Sequence, residues 1–397
     1  MGVALNWVLA INAGSSSIKS SLFDADNLEL RSQINITGVN IHNQTLSITD
    51  QDGHKSNEEF NLNSIKEIIN KYVDTLKSQI GDNAITGIGH RIVHGGPHNL
   101  KTRLIDEDFE NELNSLIDYD PEHLPMAMTV VEVMKQNFDG ISQVACLDTA
   151  FYADMPTLAK LTTLPRKYYD QGVRRYGFHG LSYTYLSTEL NAKYGTTTAE
   201  GRVIFAHLGS GASLTATLHG RPVDTTMGFT PTSGVMMSTR TGDIDPGLAW
   251  YLERSEGLSA EQFNHMANFE SGLLGVSEDS GDMYTLIQNR SGNVKATEAV
   301  DLFCYQVKKA IGALTTTLGG LDTLVFSGGI GEPSDIIRAQ VLSGLEFLGI
   351  QIDQAKNLDQ QEKISTNDSK VAVYVIPTNE NLVIAREVKQ LLEKEIK

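Results

Sequence analysis

The chain has 397 residues, 40% of them apolar and 20% charged, with a formal net charge of −17. That length provides for two domains with sizeable cores, and the acidic balance disfavours nucleic acid and anionic membranes as general partners. The opening MGVALNWVLAINAGSSS lacks a secretion-signal pattern, and no apolar run approaches the ~20 residues of a membrane span. With only Cys146 and Cys304 present, a reducing, cytoplasmic setting is the expectation.

In chain order, Val8–Phe23 (VLAINAGSSSIKSSLF) predicts a strand, a small-residue turn and a second strand. The alternation at Leu46–Ile48 continues that sheet. Ser64–Leu76 predicts a helix, with Ile65, Ile68, Ile69, Tyr72, Val73 and Leu76 forming an inward stripe. Ile85–Gly96 reads as a buried strand entering a polar loop, Leu124–Lys135 as a helix, and Val144–Leu147 as a strand ending at Asp148. A domain boundary is placed just after Asp148.

Val203–Leu218 (VIFAHLGSGASLTATL) repeats the first hairpin, aligning Asn12 with His207, Gly14 with Gly209 and Ser15 with Ser210. Such turns let backbone N–H groups and hydroxyls approach an anion without an intervening Cβ. Gly220–Gly247 is too poor in apolar positions for a helix or strand pair, and reads as a long functional or interface loop. Thr297–Leu314 predicts a helix with Phe303, Val307, Ala310, Ile311 and Leu314 inward. Leu324–Arg338 joins a strand to a Gly-rich loop and a helix. Val371–Ile376 is a strand, Pro377–Asn379 a turn, and Glu380–Lys394 a closing helix that returns to the first domain. Strand–helix alternation in both halves makes the fold α/β with mixed sheets.

Phosphoryl transfer requires a divalent ion held by carboxylates and cationic donors around the moving group. Asp148 at a strand end suits Mg²⁺, directly or through water; it equally suits a turn cap. Glu380 opens a helix, where a carboxylate also belongs for electrostatic reasons alone. Arg91 and Arg240 lie among small and apolar residues, as anion forks or as structural ion pairs. His179 and His207 are donors to a phosphoryl oxygen or structural hydrogen-bonding residues. Lys19 lacks P-loop spacing, and the Ser15–Ser17 run lacks a nucleophile elbow.

Taken together, NAGSSSIK (Asn12–Lys19), GHRIVHGG (Gly89–Gly96), DTAF (Asp148–Phe151), RRYGFHG (Arg174–Gly180), HLGSGAS (His207–Ser213), DTTMGFTP (Asp224–Pro231), TRTGDIDPG (Thr239–Gly247), SGGIGE (Ser327–Glu332) and PTNEN (Pro377–Asn381) resemble the acetate kinase family over nearly the whole chain. The resemblance implies duplicated ribonuclease-H-like (actin-like ATPase) domains, with mixed sheets and an inter-domain cleft holding ATP and Mg²⁺, or Mn²⁺ in its place. It implies a homodimer that binds ATP and a small carboxylate. The N-terminal domain is residues 1–149 with 382–397, and the nucleotide-binding and dimerisation domain is 150–381.

By the same resemblance, Asp148, Arg91, Arg240, His179 and Glu380 are catalytic, with Asp148, Glu380 and Asn12 at the metal. The acceptor pocket maps onto Arg91, Val93, Glu122, Phe178 and Pro231. Nucleotide and phosphate contacts fall to Asn12, Ser15, Ser17, Lys19, His207, Gly209, Ser210, Gly211, Gly329 and Gly331. The sequence departs from the family at Glu122, where leucine is usual, and at Pro97 and Ser210. Tyr152 and Tyr183 stand where histidine is usual, MSTR replaces MGTR, and GEP replaces GEN. The reaction implied is reversible transfer from ATP to acetate, forming acetyl phosphate and ADP. Propionate or another short acid, or a different phosphoryl donor, is the alternative. A non-enzymatic ATP-dependent scaffold fits the retained charged residues less well.

Overall fold

The computed structural model describes residues 6–14, 17–39, 43–81 and 83–395. The chain divides into two compact units, Met1–Ala153 with Asn379–Lys397, and Asp154–Thr378.

In the first unit, β1 (Asn6–Ala13) and β2 (Ser17–Asp24) form the expected hairpin. β3 (Leu30–Thr37), β4 (Gln44–Asp50) and β5 (Lys55–Phe60) extend the sheet antiparallel. On the other side of β1, β6 (Ala84–Ile92) and then β8 (Gln143–Leu147) pair parallel, with the short β7 (Arg103–Leu104) at the edge. Val8, Leu9, Ala10 and Ile11 are all buried, so β1 is covered on both faces; hence its unbroken apolar run.

One covering layer is the Ile65–Ile80 helix, closed at its start by a Ser64/Glu67 capping box. Its Ile68, Ile69, Tyr72, Val73 and Leu76 pack with Leu9, Ile11, Ile34 and Ile36 of the sheet and Val130 and Met134 of the Leu124–Asn137 helix. Ile65, expected inward, is the first helical residue and is exposed. The Glu380–Glu395 helix packs against β1 and β6 and buries Val383, Ile384, Ala385 and Val388.

In the second unit, β9 (Val203–Leu208) and β10 (Ala212–Leu218) form the second hairpin, and β11 (Arg221–Thr225) continues it antiparallel. β12 (Thr323–Ser327) and β13 (Ala372–Val375) pair parallel on the other side of β9. The order β11-β10-β9-β12-β13 repeats β3-β2-β1-β6-β8, with the same switch from antiparallel to parallel at the first strand. Both units are therefore mixed-sheet domains of the duplicated ribonuclease-H-like fold.

β11 corrects the expectation of a strandless Gly220–Gly247 stretch. His219 and Gly220, both at positive φ, turn the chain back on β10, and backbone pairing holds a strand with little apolar patterning. The 25-residue Val294–Leu318 helix, capped by Asn293, buries Phe303, Val307, Ile311 and Leu314 against this sheet; Ala310 is half-buried. Both cysteines are free and buried. Among the described residues, no helix is long and apolar enough to cross a membrane.

Candidate active site

In the first unit, strand ends gather a charged network. Arg91 lies near the end of β6, and Asp148 follows the last residue of β8. Parallel pairing brings Arg91 opposite Cys146, so the guanidinium reaches Asp148 with both arms. Nε donates to Oδ1 at 3.1 Å and Nη2 to Oδ2 at 2.6 Å. Nη1 donates to Asn12 Oδ1 at 3.2 Å and lies 3.3 Å from Glu380 Oε2. Asn12 Nδ2 closes the ring by donating to Glu380 Oε2 at 3.0 Å.

The Asp148 side chain is 0% exposed, that of Arg91 16% and that of Glu380 14%. Burial works against the Arg91 charge, but Asp148 and Glu380 more than offset it and raise its pKa. Glycines on β6 seat the helix that carries Glu380. A Cβ on Gly89 would overlap Ile384 and Val388, and one on Gly87 would come within 2.6 Å of Leu392 Cδ1.

In the second unit, His179 precedes the Gly180–Tyr194 helix in a left-handed conformation, φ 58°. Its ring stacks on His207 of β9, with centroids 4.4 Å apart. His179 Nδ1 lies 2.9 Å from Ser213 Oγ, and His207 Nδ1 lies 2.8 Å from Ser182 Oγ. A Cβ on Gly211 would sit 3.2 Å from His179 Nε2 and 3.8 Å from Arg240 Nη1, so these groups share the open side of the second glycine turn. Gly209 N donates to Gly211 O, closing that turn.

The Arg240 loop is tied to the same turn by Ser238 N donating to Ser210 O at 3.0 Å. Arg240 Nη1 donates to Pro231 O at 3.2 Å. The Gly328–Gly331 segment forms a single helical turn held by Glu332, whose Oε1 accepts from Gly328 N and from Thr378 N. Arg338, fully buried, donates to the carbonyls of Gly331 and Glu332.

The structure thus unites Asn12, Arg91, Asp148 and Glu380 in one unit. In the other it unites His179, His207, Gly209, Gly211 and Arg240. Gly329 stands close to Gly209, 3.6 Å from where its Cβ would lie, and Ser210 is exposed on the turn. Lys19 is exposed on β2 opposite Asn12, and Ser17 O accepts from Gly14 N. Ser15 lies outside the described residues. Val93 and half-buried Glu122 belong to the first unit, and Phe178 and Pro231, both buried, to the second.

Sequence reading missed Ser182, Thr378, Glu332 and Arg338 as supports, and passed over Ser213 as a partner of His179 and Tyr183 as a partner of Ser213. Single polar residues inside strands and helices carry no local pattern that marks them.

Asn12 Oδ1, Asp148 and Glu380 supply only oxygen donors, and the two carboxylates leave net negative charge beside one guanidinium. That donor set fits a hard divalent ion such as Mg²⁺. The group Asp50, Asp52 and His54 is an exposed turn in which Asp50 Oδ1 accepts from the backbone N of Asp52 and His54.

A model of the acetokinase family matches residues 7–386. An acetate kinase of Rickettsia typhi is 40% identical over 385 residues, covering 97% of this chain and 99% of that relative. The crystal structure of Porphyromonas gingivalis acetate kinase has a TM-score of 0.87 at 34% identity, covering 98% of this chain and 100% of that one. A propionate kinase from Francisella tularensis has a TM-score of 0.91 at 33% identity with the same coverage. With this similarity running through both units and every charged element just described, the chain belongs to the acetokinase family.

Proposed function

We propose that the chain catalyses reversible, Mg²⁺-dependent transfer of the ATP γ-phosphoryl group to acetate, yielding acetyl phosphate and ADP. The observation that carries this reading is Arg91, a cation braced by Asp148, Asn12 and Glu380 near the carboxyl ends of parallel strands. There it meets a carboxylate or a phosphoryl group without reorganising. Near full-length similarity to acetate kinases supports the same reaction.

In this reading Arg91 and Arg240 grip the acceptor carboxylate and the moving phosphoryl group, and His179 hydrogen-bonds the latter. The turns bearing Gly209, Gly211, Gly329 and Gly331, with the Asn12–Lys19 hairpin and His207, take the nucleotide phosphates. Asp148, Glu380 and Asn12 hold Mg²⁺, or Mn²⁺ in its place. The bound ion lowers the repulsion between phosphate oxygens and the entering carboxylate. Val93, Phe178 and Pro231 give the acceptor methyl group an apolar lining. The transfer is direct, without a phosphorylated carboxylate of the protein.

A second reading, a kinase for propionate or another short acid, is supported by the near full-length likeness to a propionate kinase. Glu122, half-buried between Asp120 and His123 of an ion pair, would repel any carboxylate acceptor placed beside it. A panel of short acids and phosphoryl donors, assayed in both directions, tests both readings. Acetate should turn over with ATP and Mg²⁺; no acetyl phosphate, with rapid turnover of another acid, would overturn the first. Glu122→Leu should lower the KM for acetate and extend activity toward propionate. Unchanged KM and kcat for every acid would take Glu122 out of the acceptor site.

The working form is a homodimer. In support, the Gly247–Glu256 helix exposes Leu248, Trp250 at 63% and Tyr251 at 59%, next to exposed Ile244, an apolar face that a second copy would cover. The acidic balance and two free thiols suit a cytoplasmic setting.

A further inference from the structure

Arg240 stands in a stretch without helix or strand, between β11 and the Gly247–Glu256 helix. Its place is set by what that stretch is bonded to, and the partner is the segment from Ala267 to Leu274. Thr241 N donates to Ala267 O, Ser271 N to Thr239 O, Leu273 N to Met237 O and Leu274 N to Ser238 O, each at 2.9 Å. Gly272, at φ 62°, lets the two backbones meet, since a Cβ there would lie 2.2 Å from Met237 O.

This segment begins in a π-helical turn, Met266–Glu270, and Asn268 at its centre is buried. Asn268 Nδ2 donates to Asn264 O at 2.9 Å and to Asn264 Oδ1 at 3.1 Å. A main-chain carbonyl only accepts, so Asn264 O fixes which end of the Asn268 amide is nitrogen. Oδ1 is thereby turned to Thr232, whose hydroxyl donates to it at 2.6 Å. The Asn268 main-chain carbonyl accepts from Thr239 Oγ1 at 2.8 Å.

Those two threonines bracket Arg240. Thr239 precedes it in the chain, and Thr232 follows Pro231, whose carbonyl accepts from Arg240 Nη1 at 3.2 Å. One residue thus ties down both the main chain beside Arg240 and the carbonyl that receives its guanidinium. A cavity of about 460 Å³, lined in part by Thr232, Thr241, Asn264 and Ala267, borders the joint. Packing alone does not confine Thr232 there, so hydrogen bonding has to.

We propose that Asn268 is a positioning residue that joins Thr232 to Thr239 and so sets Arg240 against the acceptor wall at Pro231. The inference rests on the phosphoryl-transfer reading for the role of Arg240, but not for the joint itself.

A small misplacement of a gripping side chain is costly, so Asn268→Ala should lower kcat about 10-fold and raise the KM for acetate, with the KM for ATP within about twofold of wild type. In the Arg240→Ala background the same substitution should cost little more, because it acts through that side chain. Thr232→Val should reproduce the loss, whereas Thr232→Ser keeps the hydroxyl and should work nearly as well as wild type. Hydrogen exchange over residues 232–241, read by mass spectrometry, should quicken in Asn268→Ala and Thr232→Val but not in Thr232→Ser. Unchanged kinetics in Asn268→Ala, a full additive loss on top of Arg240→Ala, or equal losses in Thr232→Val and Thr232→Ser overturns the proposal. Should Asn268→Ala fail to fold, the Thr232 pair decides by the same criterion. Unaltered exchange in Asn268→Ala and Thr232→Val removes the joint whatever the activity. Quickened exchange in a protein whose wild type makes no acetyl phosphate would sink the phosphoryl-transfer reading and leave the joint standing.

Discussion

Arg91 and Arg240 both belong to the proposed reaction, and Arg91 also neutralises a buried carboxylate. Each is assigned to charge that grows along the reaction path, so Arg91→Ala and Arg240→Ala should each lower kcat by about 100-fold or more. Arg91 also compensates Asp148, which has no exposed surface. Its removal leaves a buried carboxylate without its fork, at a cost of about 3–5 kcal/mol. Arg240 donates to the Pro231 carbonyl at 3.2 Å, and melting curves of Arg240→Ala measure what its removal costs the fold. Steady-state kinetics and melting curves of both variants separate these effects. Adding Asp148→Asn to Arg91→Ala should recover stability but not activity. Full activity in either single variant would remove that arginine from the reaction.

At the scale of elements, β6 joins stability to site geometry. Gly87 and Gly89 present bare backbone to the Glu380–Glu395 helix, and two residues later the same strand delivers Arg91. Gly89→Val would push that helix away from the sheet and carry Glu380 with it. The expected result is a loss of about 1–3 kcal/mol in urea melts and a larger fractional loss of kcat than of stability-corrected folded protein. Wild-type kcat in a folded Gly89→Val would show that the helix position is immaterial.

His90 on the same strand is buried and its Nε2 donates to Gln143 Oε1 at 2.6 Å; burial lowers its pKa from 6.5 to about 4. Between those values the unfolded chain binds a proton that the folded chain does not. Stability therefore falls as pH drops from about 6.5 toward about 4, by up to about 3 kcal/mol, and is unaffected by this group at higher pH. Urea midpoints at pH 7 and 4.5 should shift more in wild type than in His90→Gln. Equal shifts would mean that the imidazole is not the source.

At the scale of the molecule, one strand order occurs twice with the same change from antiparallel to parallel pairing. The two copies carry different chemistry at their first turns, with Asn12 before one and His207 before the other. The exposed Trp250 and Tyr251 lie on a helix outside this shared order. If a second copy covers them, Trp250→Glu with Tyr251→Glu should convert a dimer to a monomer in size-exclusion chromatography with light scattering. An unchanged dimer would place the interface elsewhere.

The sequence by itself determined the two hairpins and the closing helix, and marked the charged residues as candidates, because each leaves a local mark. Alternating or continuous apolar runs define the strands, small residues define the turns, and arginine or aspartate at a strand end stands out against apolar neighbours. β11 escaped that reading, since an edge strand held by backbone pairing to β10 needs no apolar pattern. Only the tertiary structure decided that Arg91 divides its donors among Asp148, Asn12 and Glu380, residues separated by up to 368 positions. It alone placed Tyr183 and Ser213 behind His179 and Glu332 beneath the Gly328–Gly331 turn. The reason is physical: a hydrogen bond depends on which donor and acceptor meet in space, and sequence spacing encodes that only through the completed packing of strand on strand and helix on sheet.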